Sequence, residues 1–237
     1  MVTAMIAILT LLLYFRIPTH QRNSEQPSTS YFNDLKEGLA YIRRQAYLKS
    51  FFAFMAVFFI LMAPAAFLTP LQVTRSFGDE VWRLTAIEIA FSVGMMAGGG
   101  MIAAWGGFKN KVHTMTLATV LMGACTFLLG FVPVFWIYLA FMALFGVAMP
   151  AFNTPTMTMI QEKVDESYMG RIFGVFSMIS TSMMPIGMLI FGPIADAIAI
   201  EWLLMATGLL MLILSIFLGR NQPLLDAGKP PIQEATT

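Results

Sequence analysis

The sequence has little charge, one cysteine and two histidines. Only 11% of its 237 residues are charged, whereas a soluble domain carries about a quarter. Cys125 has no second cysteine to pair with and lies in an apolar run, so we expect a packed hydrophobe rather than a disulfide or a thiolate metal site. The two histidines are far apart in sequence. We therefore expect no metal, no cofactor and no nucleic-acid partner.

Two further absences limit the function. No GxxxxGK[ST] segment is present, which argues against an ATP-driven pump within this chain. No cluster of His, Asp or Ser nucleophiles occurs in the apolar segments, so we expect that the protein is not an enzyme.

The sequence is instead rich in long apolar segments. Hydrophobic residues make up 58% of the chain, and a helix needs about 20 mostly apolar residues to cross a bilayer. Six segments qualify and predict an all-α, polytopic transmembrane bundle joined by short polar or Gly/Pro links. The predicted spans are Leu48–Pro70, Leu84–Trp105, His113–Val132, Val134–Ile160, Arg171–Ala195 and Glu201–Gly219.

The amino-terminal part is different. Residues 1–15 are apolar but too short to span, and we interpret them as the end of a truncated transmembrane helix. Residues 16–47 are predicted to be a central loop that contains an amphipathic helix. Its apolar positions share one face and Lys36, Arg43 and Arg44 another, typical of a helix on an anionic membrane surface. A linker helix packed on the ends of the bundle is an alternative compatible with this.

Basic residues predict the orientation. If residues 16–49 are cytoplasmic, only Arg75 and Arg83 of the fourteen Lys and Arg residues face outward. The positive-inside rule favours this arrangement. We expect a multi-pass protein of the cell membrane with a six-helix domain at 48–219, a tail at 220–237 and both termini in the cytoplasm.

Four segments carry a family resemblance. They read "DLKEGLAYIRR", "EVWRLTAIEIAFSVGMMAGGG", "AAWGGFKNKVHTM" and "QEKVDESYMGRIFGVFSMISTSMMPIGMLIFGPIAD". Together they resemble the C-terminal half of a major facilitator superfamily permease, in the branch of macrolide-efflux-like drug exporters.

The resemblance implies a secondary exporter in which two six-helix halves rock about a central cavity, usually driven by protons. It implies as partners a drug-like small molecule, protons, membrane lipid and the missing N-terminal half, without which we expect the chain to be inactive. From outside this class, a non-transporting membrane scaffold or assembly subunit is the alternative.

Two basic links are candidate gates. Gly106 and Gly107 can end the second span without a Cβ penalty; Lys109 and Lys111 suit the headgroup level. In the family this loop contacts the other half, and Asn110 stands where the full motif has an acid. A topology anchor is the alternative.

The second link places Arg171 after Gly170 at the start of the fifth span. A cation there opposes the helix macrodipole, so we expect an acidic partner, Glu162 or Asp165. A conformational latch is the functional interpretation.

Two polar positions inside the spans are candidates for the transport path. Asn153 lies between Pro150 and Pro155, where it either bridges backbone carbonyls freed by proline or lines the substrate path. Glu88 shares a helical arc with Ser92, Met95 and Gly99. The interpretations of Glu88 are a proton-coupling carboxylate, a structural acid bonded inside the bundle, and an acid wetted from the outer surface.

The same span carries Gly94 and Gly98 on a separate face. Their small-xxx-small spacing predicts close contact with another helix.

Overall fold

The computed structural model describes residues 31–230. The interpretations of residues 1–15, 16–30 and 231–237 lie outside that part of the chain. The described residues form nine α-helices and a one-turn 3₁₀ helix at Glu166–Tyr168. The α-helices are α1 Tyr31–Arg44, α2 Ala46–Phe67, α3 Thr69–Phe77, α4 Val81–Trp105, α5 Lys111–Leu129, α6 Phe135–Lys163, α7 Met169–Ala197, α8 Ile200–Arg220 and α9 Gln222–Ala227.

The all-α fold is confirmed. Six candidate spans in the described part of the chain are long and apolar enough to cross a membrane, with α2 and α3 together forming the first. The helices run up and down, so the bundle has two ends. We call the end where α1 lies the α1 end and the other the opposite end.

The first span differs from its prediction. The sequence places its end at Pro70, but the helix breaks at Leu68 and α3 continues to Phe77. Proline has no backbone N–H, but the residues in the first turn of a helix do not donate to a helical carbonyl. Pro70 can therefore stand in the first turn of α3, where it begins a helix instead of ending one. The resulting α3 is a short element at the opposite end.

Glycine packing joins α4 to α6, as the spacing of Gly94 and Gly98 predicts. Both glycines are buried. A Cβ at Gly94 would lie 3.0 Å from the Cα of Ala143, and one at Gly98 would lie 2.8 Å from the Cα of Val147. The two backbones are therefore too close for any side chain between them.

Elsewhere the core is filled by large side chains. Helix α5 packs against α6 and α8, and α2 packs against α7 and α8. Phe58 of α2 stacks on Phe152 of α6 with ring centroids 4.3 Å apart, and Phe54 lies against both. Each such ring pair adds about 0.5–1.5 kcal/mol beyond its buried area.

The tryptophans lie at the ends of the spans. Trp82, Trp136 and Trp202 lie in the first turns of α4, α6 and α8 at the opposite end, and Trp105 is the last residue of α4 at the α1 end. Indole rings favour the headgroup level. The four tryptophans of the chain therefore bracket the apolar thickness that the six spans provide.

Candidate functional site

A cavity of about 240 Å³ lies between α2, α3, α4, α5 and α6, toward the opposite end. Its walls are mainly apolar and aromatic, and Glu88 is the only charged residue among the described residues that line it. Met62 contributes a thioether, Thr69 a hydroxyl, and Phe91 and Phe145 a pair of rings with centroids 6.3 Å apart. The site therefore combines one carboxylate with an apolar enclosure.

Helix α4 positions Glu88 at the edge of this cavity. The residue lies about 10 Å along the axis from Val81, at 1.5 Å per residue. Its side chain is exposed on the bundle surface, and no hydrogen bond or ion pair reaches it from the side chains of residues 35–230. The described residues therefore supply no partner for the interpretation of Glu88 as an acid bonded inside the bundle. All three interpretations of Glu88 stay predictions.

The predicted stripe of α4 continues from Glu88 along the same surface. Ser92 is exposed, Met95 is 37% exposed, and a Cβ at Gly99 would meet no atom within 4 Å. One face of α4 is thus packed directly against α6. The face that carries Glu88 and Ser92 is exposed on the surface of the described bundle.

Behind the cavity is a polar network that the sequence did not reveal. Gln72 of α3 and Tyr138 of α6 are almost fully buried. The Tyr138 hydroxyl donates to Oε1 of Gln72 at 2.8 Å, and Nε2 of Gln72 donates to the carbonyl of Leu129 at 2.9 Å. The network holds α3, which supplies Thr69 and Pro70 to the cavity wall, against α5 and α6.

Asn153 is not part of this cavity. It is exposed on α6, as is Thr154 beside it. Helix α7 likewise exposes hydroxyl groups well inside its span, at Ser177, Thr181 and Ser182. Polar groups facing hydrocarbon are costly, so these surfaces of α6 and α7 suit contact with water or with another protein surface.

In the first basic link, α4 ends and α5 begins. Gly106 and Gly107 have φ values of +73° and +78°, which confirms their predicted role in ending α4. The side chain of Asn110 then caps α5, accepting from the Val112 amide at 3.0 Å. Lys109 is exposed, and Lys111 forms an ion pair with Glu162.

Asn110 has a second partner that the sequence did not indicate. Its Nδ2 donates to the carbonyl of Leu225 at 2.8 Å, and the Lys111 amide donates to the carbonyl of Gly228 at 3.0 Å. Leu224 is fully buried beneath them. The amide that replaces the motif's acid thus fastens α9 to the start of α5.

The second basic link carries an ion pair to another helix. Arg171 pairs with Glu37 of α1 at 3.1 Å, while Glu162, one of the two acids expected to serve it, pairs with Lys111. The guanidinium also lies 5.5 Å from the ring centroid of Tyr168. Gly170 beside it is exposed and has open space where a Cβ would be.

Further contacts hold α1 against this link. The Tyr41 hydroxyl donates to Oδ2 of Asp165 at 2.8 Å, and its ring stacks on Tyr168 with centroids 4.4 Å apart. Burial raises the pKa of Tyr41 above its ordinary value, and the hydrogen bond to Asp165 adds to the rise. We call the contacts of Glu37 and Tyr41 with Asp165, Tyr168 and Arg171 the α1 clamp.

The apolar face of α1 is therefore occupied. Ile42 is buried in the main core and Gly38 lies against α7, while Leu39 is 39% exposed. The linker-helix interpretation is confirmed, and any contact with membrane lipid is left to the outer basic face.

Apart from Asn153, which is exposed on α6, the candidate residues fall into two groups. Glu88, Ser92 and Met95 lie on α4 around or beside the cavity, and the gate candidates lie at the α1 end. This arrangement defines a polytopic membrane bundle with a single-carboxylate cavity and basic links at one end, the class to which secondary transporters belong.

Comparison with known proteins identifies the family. The family model described as Major Facilitator Superfamily matches residues 1–188 and 108–234, and the chain belongs to this family of transporters. It is similar to macrolide efflux protein A of Streptococcus pyogenes, with 25% identity over 215 residues that cover 90% of this chain and 53% of the relative.

Other relatives agree. Macrolide efflux protein A of Enterococcus faecalis is 26% identical over 187 residues, covering 78% of this chain and 58% of the relative. The multidrug efflux pump Tap of Mycolicibacterium fortuitum is 26% identical over 159 residues, covering 64% and 38%. The chain spans about half the length of the macrolide efflux relatives it matches.

Proposed function

We propose that this chain is the C-terminal half of a secondary active exporter of macrolides or other hydrophobic drugs, with export coupled to proton entry. The proposal is supported by membership of the superfamily, by relatives named for drug efflux, and by a membrane bundle whose cavity is lined by one carboxylate. The observation that carries the coupling role is Glu88, which faces the cavity without a partner among the described residues.

The volume of the cavity supports a substrate site that is shared between two halves of the transporter. Pockets that enclose a drug-sized molecule occupy roughly 300–1,000 Å³, and this cavity has about 240 Å³. It would hold a part of such a molecule. The remainder needs a facing surface, which we assign to an N-terminal six-helix half.

The exposed polar groups point to the same partner. Glu88, Asn153 and Thr181 lie within spans, yet their side chains are exposed on the described bundle. Facing lipid, each would cost free energy. A second half that encloses a wet path would satisfy them, and without it we expect the chain to be inactive. Both chain termini are assigned to the cytoplasm, on the same side as the basic links.

The test is drug accumulation in cells that express the two-half transporter. We expect export of a macrolide to fall when a protonophore is added, and we expect Glu88→Gln to abolish its pH dependence. Asp196→Asn, an exposed acid outside the cavity, is the matched control. If Glu88→Gln leaves pH-dependent efflux unchanged, the coupling role fails.

The alternative class makes a different prediction. A scaffold or assembly subunit would leave drug accumulation the same with and without the protein. That result, obtained with the transporter present at the cell membrane, would replace the exporter proposal.

A further inference from the structure

A second concave surface lies on the outside of α8 at the α1 end. It is a groove of about 470 Å³ lined by Ile213, Ile216, Phe217, Arg220 and Asn221. Three apolar side chains form its length, and a guanidinium and an amide close one end. We call it the Arg220 groove.

The surface around the groove is suited to lipid. The large exposed residues of α8 between its ends are all apolar, in contrast to the exposed carboxylate, amide and hydroxyls of α4, α6 and α7. They are Trp202, Leu209, Leu210, Ile213, Ile216 and Phe217. A face without polar groups over the length of a span is one that acyl chains can cover at no desolvation cost.

The polar end of the groove is suited to an anion. Arg220 is exposed, and no ion pair to it is formed by the acidic side chains of residues 35–230. Asn221 uses its Oδ1 to accept from the Leu224 amide at 3.3 Å, which leaves its NH₂ group able to donate outward. A guanidinium supplies a planar fork of donors that matches two phosphate oxygens.

We propose that the Arg220 groove binds one anionic glycerophospholipid. Its phosphate contacts Arg220 and the Asn221 amide, and an acyl chain lies along Ile213, Ile216 and Phe217. Because none of the described residues that line the groove is acidic, a headgroup with its own cation has no local partner among them. The site therefore favours phosphatidylglycerol over phosphatidylcholine.

The position of the groove gives the lipid a structural consequence. Arg220 ends α8, Asn221 caps α9, and α9 holds the first basic link through Asn110 and Leu225. A lipid on Arg220 and Asn221 would brace the junction between the last span and the docked tail. This inference is independent of which molecule the protein exports.

The experiment measures lipid binding to the purified 237-residue chain in an uncharged detergent, by native mass spectrometry and by thermal unfolding. The probes are phosphatidylglycerol, phosphatidylcholine with the same acyl chains, diacylglycerol, and inorganic phosphate alone. We expect phosphatidylglycerol to bind about fivefold more tightly than phosphatidylcholine, the factor that one basic contact supplies.

Variants test which residues cause the preference for phosphatidylglycerol. Arg220→Gln should remove it and Arg220→Lys should keep part of it. Phe217→Ala should weaken both phospholipids alike. Arg75→Gln is the matched control, because Arg75 is also exposed but lies at the opposite end of the bundle, and it should leave the preference unchanged.

Three results would overturn the proposal. In the first, Arg220→Gln, folded as judged by its unfolding transition, still prefers phosphatidylglycerol. In the second, Arg75→Gln loses the preference equally. In the third, inorganic phosphate alone stabilises the chain as much as the lipid does, which would indicate a free anion site.

Discussion

At the scale of single residues, two kinds of position hold the bundle together. Gly94 and Gly98 let the α4 backbone meet α6 directly, and the spacing of these glycines in the sequence is sufficient to predict this contact. Gln72 and Tyr138 hold α3 in place, but they are 66 residues apart. No local pattern marks them as partners, because their contact exists only once three helices have packed.

Substitution of Gly94 by alanine should destabilise the chain. The added methyl group would meet the backbone of Ala143, and such overpacking costs about 1–3 kcal/mol. Thermal unfolding in detergent measures the effect. Gly100→Ala is the control, since a Cβ there meets nothing within 4 Å. Equal unfolding temperatures for the two variants would contradict the close contact.

Substitution of Tyr138 by phenylalanine should also be destabilising. It leaves Oε1 of the buried Gln72 without its donor, and an unsatisfied buried polar atom costs about 1–3 kcal/mol. The measurement is again the unfolding transition. In a double-mutant cycle with Gln72→Leu, the two losses should be less than additive, because both variants break the same hydrogen bond; a strictly additive double variant would argue against the hydrogen bond.

At the scale of elements, α1 is part of the bundle. Its amphipathic pattern predicts a helix but not what covers the apolar face, since a bilayer surface and a neighbouring helix demand the same periodicity. The position of Arg171 predicts an acidic partner, but the structure supplies Glu37 from another helix. The spans themselves were predictable because a long apolar run is sufficient evidence, whereas the break at Leu68 depends on how Pro70 is used.

The α1 clamp should be measurable as a coupling energy. We expect a double-mutant cycle with Tyr41→Phe and Asp165→Asn to give about 1 kcal/mol, the usual net value of a hydrogen bond. Helix α1 should also exchange its amide hydrogens faster in each variant.

The control cycle uses the ion pair of Lys229 and Asp226, which are 65% and 64% exposed. Exposed pairs contribute little, so this cycle should give a coupling close to zero. A clamp cycle no larger than the control would show that the Tyr41–Asp165 hydrogen bond does not help to hold α1.

At the scale of the whole molecule, the polar groups exposed within the spans are distributed unevenly among the helices. Helices α4, α6 and α7 expose polar groups within their spans, while α8 exposes apolar ones. Sequence patterns show which residues are polar but not which surface each one reaches. Under the proposed function, the first set of helices meets a second half and a wet path, and α8 meets lipid.

This distribution predicts opposite effects for two substitutions. Asn153→Leu should lower drug export several-fold without lowering the unfolding temperature of the 237-residue chain, because Asn153 is exposed there. Leu209→Ile on α8 should change neither quantity. Unimpaired export by Asn153→Leu, measured at equal protein levels, would remove Asn153 from the path.

The docking of α9 also sets an order of events during synthesis. Asn110 and Lys111 take partners from Leu225 and Gly228, which leave the ribosome more than a hundred residues later. Chains are made from the amino terminus onward, so the link between α4 and α5 waits for the last span to be inserted before its contacts are complete. Formation of these contacts at the α1 end is thus a late folding step, because it requires that the carboxyl-terminal segment has been synthesised.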